Sequence, residues 1–306
     1  MNILEIKHLY KKFGSNEVIR DLSLSVPSNT VFGFIGKNGA GKTTTMKMIL
    51  GLLKADKGNI TVAGEQVAYG QTNTNRFIGY LPDVPEFYNF MNSLEYLKLC
   101  GEITGMNKKS IVARSKELIQ LVGLEDAKKK KIGGFSRGMK QRLGIAQALL
   151  NEPRLLICDE PTSALDPVGR KEILDIMKSV KDKTTIVFST HILSDVERIC
   201  DDIAILKNGK IALTGTLADI KSKHAVDSLR IIFQDMMDQI NFQKYFMTND
   251  TVTVEKVENN TLLIHSSHIE ETQSSIIRVL YETKILPVSY ELLEPTLESL
   301  FLEVVE

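Results

Sequence analysis

Eight residues constrain this chain more than any others: Gly36-Lys37-Asn38-Gly39-Ala40-Gly41-Lys42-Thr43. They match the pattern G-x-x-x-x-G-K-[ST]. The run Val31–Ile35 before them is short and apolar, as a buried strand is, and Thr43–Leu53 after them has helical spacing. Glycines at such a turn let successive backbone N–H groups point inward around phosphate oxygens. The start of the following helix adds its dipole and its unpaired N–H groups. In this reading Gly36, Asn38, Gly39, Gly41 and Thr44 belong to a phosphate cradle. Lys42 reaches the β- and γ-phosphates of a nucleotide, and the Thr43 hydroxyl ligates Mg²⁺.

The rest of the chain must supply a sheet for that strand. Ile3–His8 and Val18–Val26 alternate, and Asn59–Val62 and Phe77–Leu81 read as further strands. Leu155–Cys158 and Thr185–Ser189 are short apolar runs bounded by polar turns, with a helical pattern at Val168–Val180 between them. From Ser93 to about Gly123 the pattern is mostly helical, with Met91, Leu94, Leu97, Ile111, Leu118 and Leu121 as inward positions. Strands alternating with helices predict a mostly parallel sheet covered on both faces. Asn208-Gly209 between two apolar runs predicts a hairpin.

Charge divides the chain. Residues 1–216 hold 31 basic and 23 acidic side chains; residues 217–306 hold 7 and 15. A reversal of that size marks a second module from about residue 217. Its β-like runs Thr251–Val254 and Leu262–His265 and its helical Glu271–Tyr281 predict a small α+β domain. The overall net charge is zero, which gives no case for nucleic acid as a partner. Cys100, Cys158 and Cys200 are few and widely spaced, so neither a disulfide framework nor a zinc site is expected. The chain has no run of about 18 apolar residues, so the expectation is an intracellular protein whose membrane contact is peripheral.

Leu155–Cys158 runs into Asp159-Glu160. Asp159 can hold Mg²⁺ through water, and Glu160 is placed to polarise an attacking water. With both motifs in one chain, residues 1–216 resemble the ATP-binding-cassette (ABC) ATPases. Phe135-Ser136-Arg137-Gly138-Met139, followed by Lys140-Gln141-Arg142, is similar to that family's signature LSGGQ-x-Q-R. The positions that meet phosphate there, Ser136 and Gly138, are kept. Ser136 also precedes a predicted helix, Arg137–Leu150, as an N-cap does. Ser163-Ala164-Leu165-Asp166 resembles the family's D-loop, and His191, after the strand, resembles its switch histidine. Phe13 falls where the family stacks an aromatic ring on adenine, with Tyr10 as the competing candidate.

Four family positions are altered. In the signature Phe135 replaces a leucine, Arg137 a glycine and Met139 a glutamine. Asp83, in Gly79-Tyr80-Leu81-Pro82-Asp83, stands where the family usually has glutamine. Aspartate can still serve Mg²⁺ or its water, but when ionised it cannot donate a hydrogen bond. An acid here, and a C-terminal extension of this size, are similar to bacterial ABC-2-type exporters.

The resemblance implies a P-loop NTPase cassette: mostly parallel core, antiparallel β subdomain, and a helical subdomain at about 84–150. It implies ATP and Mg²⁺ as ligands, with Lys42, Glu160 and His191 catalytic and Thr43, Asp83 and Asp159 at the metal. It implies a head-to-tail dimer, since the family completes each site with Ser136 and Gly138 of a second cassette, most simply a second copy. It further implies a separate transmembrane permease at the cytoplasmic face of the cell membrane. The loop Asp83–Leu94, with Phe87, Tyr88 and Phe90, is the expected docking groove, although these rings could instead form a small local core. The run Lys128–Lys131 reads either as a solvated loop or as a patch for anionic lipid. Glu294–Leu302 resembles the closing segment of exporter cassettes, with Leu297, Leu300 and Phe301 on one helical face. Two other functions stay open: an ABC ATPase acting on ribosomes or DNA, and a non-hydrolysing regulatory module.

Overall fold

The structure is a computed structural model that describes residues 1–223, 227–245, 252–257, 260–266, 268–293 and 297–305. Asn2–Phe13 (β1) and Asn16–Pro27 (β2) form a long antiparallel pair that buries Leu4, Ile6, Leu9, Leu22, Leu24 and Val26. β1 runs past the expected end at His8. A left-handed residue there (φ 50°) bulges the strand and lets pairing resume. Val31–Gly36 (β3) is buried at every position, which only a sheet covered on both faces allows. Lys42–Ile49 (α1) follows. It ends before the expected Leu53 because Gly51 turns left-handed (φ 69°). Lys57–Val62 (β4) and Glu65–Gln66 (β5) complete a four-stranded antiparallel sheet, β2-β1-β4-β5.

Ile78–Leu81 (β6) leads into Ser93–Ile103 (α2), Lys108–Leu121 (α3) and Arg137–Ala148 (α4). The continuous helical pattern of Ser93–Gly123 is two helices. Gly105 (φ 78°) breaks it, and Asn92 and Asn107 cap the two starts. Leu97, Ile111 and Leu118 are buried as predicted. Met91, Leu94 and Leu121 are only half-buried, and Val122 takes the inward place beside Leu121. Then come Leu155–Asp159 (β7), Pro167–Val180 (α5), Thr185–Thr190 (β8), Leu193–Ile199 (α6), Asp202–Lys207 (β9) and Lys210–Thr216 (β10). The core sheet runs β10-β9-β3-β8-β7-β6, parallel except for β10. Asn208 and Gly209 make the β9–β10 turn with positive φ at both positions, as the dipeptide predicts.

The chain divides into two compact units, Met1–Leu217 and Ala218–Val304. Leu217–Lys223 (α7) spans the division. The second unit contains Asp227–Ile232 (β11), Met236–Gln243 (α8), Val252–Val257 (β12), Thr261–Ser266 (β13), Ile269–Thr283 (α9), Ser289–Leu293 (β14) and Leu297–Val305 (α10). Its sheet is antiparallel throughout, in the order β12-β13-β11-β14. Leu229, Ile231, Phe233, Phe242, Leu262, Ile264 and Ile276 form its core. This is the expected α+β texture. α8 and β14 were not legible in sequence, because each is short and only partly apolar. Leu297 and Leu300 are buried and Phe301 is half-buried; Glu294–Thr296 of the closing segment lie outside the described residues.

Candidate functional site

The glycine-rich loop sits at the C-terminal end of β3, where parallel α/β sheets gather their ligands. Gly41 adopts φ 111°, which favours glycine, and a Cβ there would also press on Ile19 Cδ1 at 2.5 Å and Val18 O at 3.2 Å. Lys42 is the first residue of α1 and only 5% exposed. Its ammonium donates to Gly36 O at 2.7 Å and lies 3.2 Å from Glu160 Oε1. A buried cation needs such an anion. Thr43 is exposed and Thr44 half-buried on the same first turn.

β7 and β8 run parallel, with Asp159 level with Ser189. Ser189 Oγ donates to Asp159 Oδ1 at 2.6 Å and accepts from the Glu160 N–H at 3.1 Å. One hydroxyl thus fixes the acid on the strand and the backbone of the acid that follows. Glu160 itself is left-handed (φ 47°), a conformation that a non-glycine residue keeps only when its surroundings enforce it. The second bond on its N–H, to Ser189 O at 3.1 Å, provides that restraint. Glu160 Oε2 accepts from His191 Nδ1 at 2.9 Å, while Oε1 faces Lys42. The Glu160 side chain is 14% exposed and that of His191 46%, so His191 closes the pair on the solvent side.

The sequence reading missed Ser189. Its signal is there: it is two residues before His191, at the end of the expected strand Thr185–Ser189. It also missed buried Asp195 on α6, which accepts from Thr162 Oγ1 at 2.6 Å and from Arg170 at 2.7 Å. Those bonds tie the loop after β7 to α5 and α6.

Among the described residues no group of three or more His, Cys, Asp or Glu forms a cage. Mg²⁺ seldom uses one. It keeps waters and takes one or two carboxylates together with substrate phosphates. The Thr43 hydroxyl and Asp159 carboxylate are oxygen donors that fit this habit. Asp83 has a different neighbour, Arg137 Nη2 at 3.7 Å. Tyr80, one strand over from Asp159, is pushed up to about 12 by burial first and then by Asp159, Cys158 and Asp83, so its hydroxyl keeps its proton.

The remaining candidates lie apart. Ser136 caps α4, accepting from the Met139 N–H at 3.2 Å, and Asp166 caps α5, accepting from the Gly169 N–H at 3.0 Å. A Cβ at Gly138 would meet only Leu165 Cδ2, at 3.9 Å. Among the described residues no hydrogen bond or ion pair joins Ser136, Gly138 or Asp166 to Gly36–Thr44. Phe13 is 50% exposed, with Lys11 Nζ 5.3 Å from its ring centre. Tyr10 is 37% exposed and interacts with Asp21, which leaves Phe13 the freer ring.

Comparison with known proteins accounts for the whole chain. The ABC transporter family model matches residues 19–163. The bacitracin transport ATP-binding protein BcrA of Bacillus licheniformis is 34% identical over 99% of this chain and 97% of its own. The linearmycin resistance ATP-binding protein LnrL of Bacillus subtilis is 33% identical over 98% of this chain and 97% of its own. A solved ATP-binding subunit of an ABC transporter superposes with a TM-score of 0.66 at 36% identity, covering 72% of this chain and 92% of that one. The fold class expected from the sequence is therefore the one found, an ABC cassette with a further antiparallel sheet. A chain this similar from end to end to such proteins belongs with them: it is an ABC transporter ATP-binding subunit, an ATPase.

Proposed function

We propose that this chain is the motor of a bacterial ABC exporter of the ABC-2 type, hydrolysing Mg²⁺–ATP at the cytoplasmic face of the membrane beside a separate membrane-spanning partner. One observation carries the catalytic part: Glu160 is held between Lys42 and His191, next to an Asp159 fixed by Ser189. The full-length similarity to BcrA and LnrL supports the exporter part.

The chemistry follows from those contacts. Lys42 already faces a carboxylate oxygen, so triphosphate oxygens can replace Glu160 as its anion. Glu160 is then released toward a water beside the γ-phosphate. The water oxygen attacks phosphorus, the bond to the β–γ bridging oxygen breaks, and Glu160 takes the proton. His191 keeps one carboxylate oxygen oriented on the solvent side. Mg²⁺, which Thr43 and Asp159 would hold with Asp83 serving the ion or its water, would supply charge neutralisation on the phosphates. Phe13 offers its exposed face to the adenine ring.

Ser136, Gly138 and Asp166 serve a second copy's nucleotide; among the described residues no hydrogen bond or ion pair ties them to their own loop. Closure of that dimer on ATP, and its reopening after hydrolysis, would move the partner. No helix among the described residues is long and apolar enough to cross a membrane, so the path for cargo is assigned to that partner. Tyr88 and Phe90, 54% and 68% exposed, are the proposed docking rings. Phe87 is half-buried against Tyr96 at 5.0 Å and props the loop from below. The acidic C-terminal unit is assigned to regulation or dimer contacts.

The test is a pull-down from detergent-solubilised membranes with the Glu160→Gln chain and ATP. A stoichiometric polytopic membrane protein is the expected result. Recovery of ribosomes or DNA alone would move the function to a soluble ABC ATPase.

A further inference from the structure

Two of the four departures from the family pattern meet each other. Asp83 lies two residues beyond β6, and Arg137 is the first residue of α4; their charged groups are 3.7 Å apart. Neither is comfortable alone. Asp83 Oδ1 is buried and takes no hydrogen bond, although the two side chains as a whole are 46% and 47% exposed. Arg137 puts a cation at the positive end of a helix, where the dipole disfavours it. Each neutralises the other's difficulty. The place matters as well. The C-terminal half of α4 is seated on β6 with no room to spare: a Cβ at Gly144 would come 2.5 Å from Leu81 Cδ1, and one at Gly79 2.2 Å from Ala148 O. The N-terminal end of α4 is roomier at Gly138, where a Cβ would meet only Leu165 Cδ2 at 3.9 Å, and the Asp83–Arg137 pair lies beside it. Asp83 also belongs to the strand-end row that holds Asp159, because Leu81 pairs with Cys158 and both acids add their field to Tyr80.

Resting on the nucleotide reading above, we infer that Arg137 is a positioning residue that holds Asp83 in the free chain and releases it when Mg²⁺ and ATP arrive. A carboxylate cannot give its full charge to a guanidinium and to a metal or its water at once. Binding at the phosphate loop therefore loosens the start of α4, the end that a second cassette must meet.

The experiment is a double-mutant cycle on the full chain with Asp83→Asn, Arg137→Gln and both. Melting temperature is read without nucleotide and with Mg²⁺ and a non-hydrolysable ATP analogue. The free chain should show a coupling of about 1–2 °C, the size that an exposed pair supports. Saturating Mg²⁺ and analogue should abolish it. In an Mg²⁺ titration at fixed analogue, Arg137→Gln should lower the midpoint about two- to fivefold. It should do nothing when Asp83 is already Asn, and Arg137→Lys should restore most of the wild-type midpoint. Absence of coupling in the free chain overturns the inference. So does equal coupling in both states, or an Arg137→Gln effect that persists without Asp83. If the analogue stabilises no variant, wild type included, the nucleotide reading fails and the release step falls with it. Coupling in the free chain would then still report the tie.

Discussion

The two units place their polar side chains in opposite ways. In Met1–Leu217 the parallel strands β3, β7 and β8 are wholly buried, so polar groups have nowhere to sit except at the strand ends. Lys42, Asp159, Glu160, Ser189 and His191 converge there. In Ala218–Val304 the antiparallel sheet has a solvated face, and its polar groups pair across strands: Arg230 with Glu291, Ser228 with His265, and His265 with Glu255 at 3.8 Å. Those pairs spread along a surface and do not converge. A sheet covered on both faces concentrates chemistry at one edge; a sheet with a wet face disperses it.

The sharpest attempts to break this contrast act on the converged edge. Lys42→Ala should weaken ATP binding by roughly a hundredfold, since it removes a buried cation facing the loop. Unchanged affinity in a fluorescent-nucleotide titration would sink the phosphate-loop assignment. Glu160→Gln should keep ATP affinity and lower hydrolysis by at least about a hundredfold. Wild-type turnover in that variant would assign the proton to another group. Ser189→Ala should cost about tenfold in kcat with a smaller change in KM, because one Asp159 oxygen loses its donor. Equal kcat would make Ser189 a bystander.

The other unit should answer differently. Phe242→Ala removes a fully buried ring packed 5.2 Å from Phe233, and should cost about 3–5 kcal/mol of that unit's stability. Nucleotide affinity at the first unit should survive. If proteolysis of residues 218–304 and loss of ATP binding came together, the units would be one cooperative block. Arg230→Ala, on the wet face, should change stability by less than about 1 kcal/mol.

Much of this was readable because it is local. The glycine positions, the strand–turn–helix order and the Asn208-Gly209 turn depend on neighbours in the chain. So does the N-cap at Ser136. Other features were not readable. The break at Gly105 was lost inside a pattern that is helical on both sides. Ser189 looked like one more small residue in a strand, and its importance depends on which residue lies level with it across the sheet. Phe87 read as exposed, and only the approach of Tyr96 on α2 half-buries it.

The sequence by itself determined the glycine-rich strand–turn–helix, the acids at the end of β7, the α/β order and the family, because each is carried by motifs of residues close together in the chain. The tertiary structure alone decided which long-range pairs exist. It set Glu160 between Lys42 and His191, placed Ser189 beneath Asp159, and brought Asp83 to Arg137. Those contacts join residues tens of positions apart, and only strand register and the seating of α4 on β6 bring them within reach.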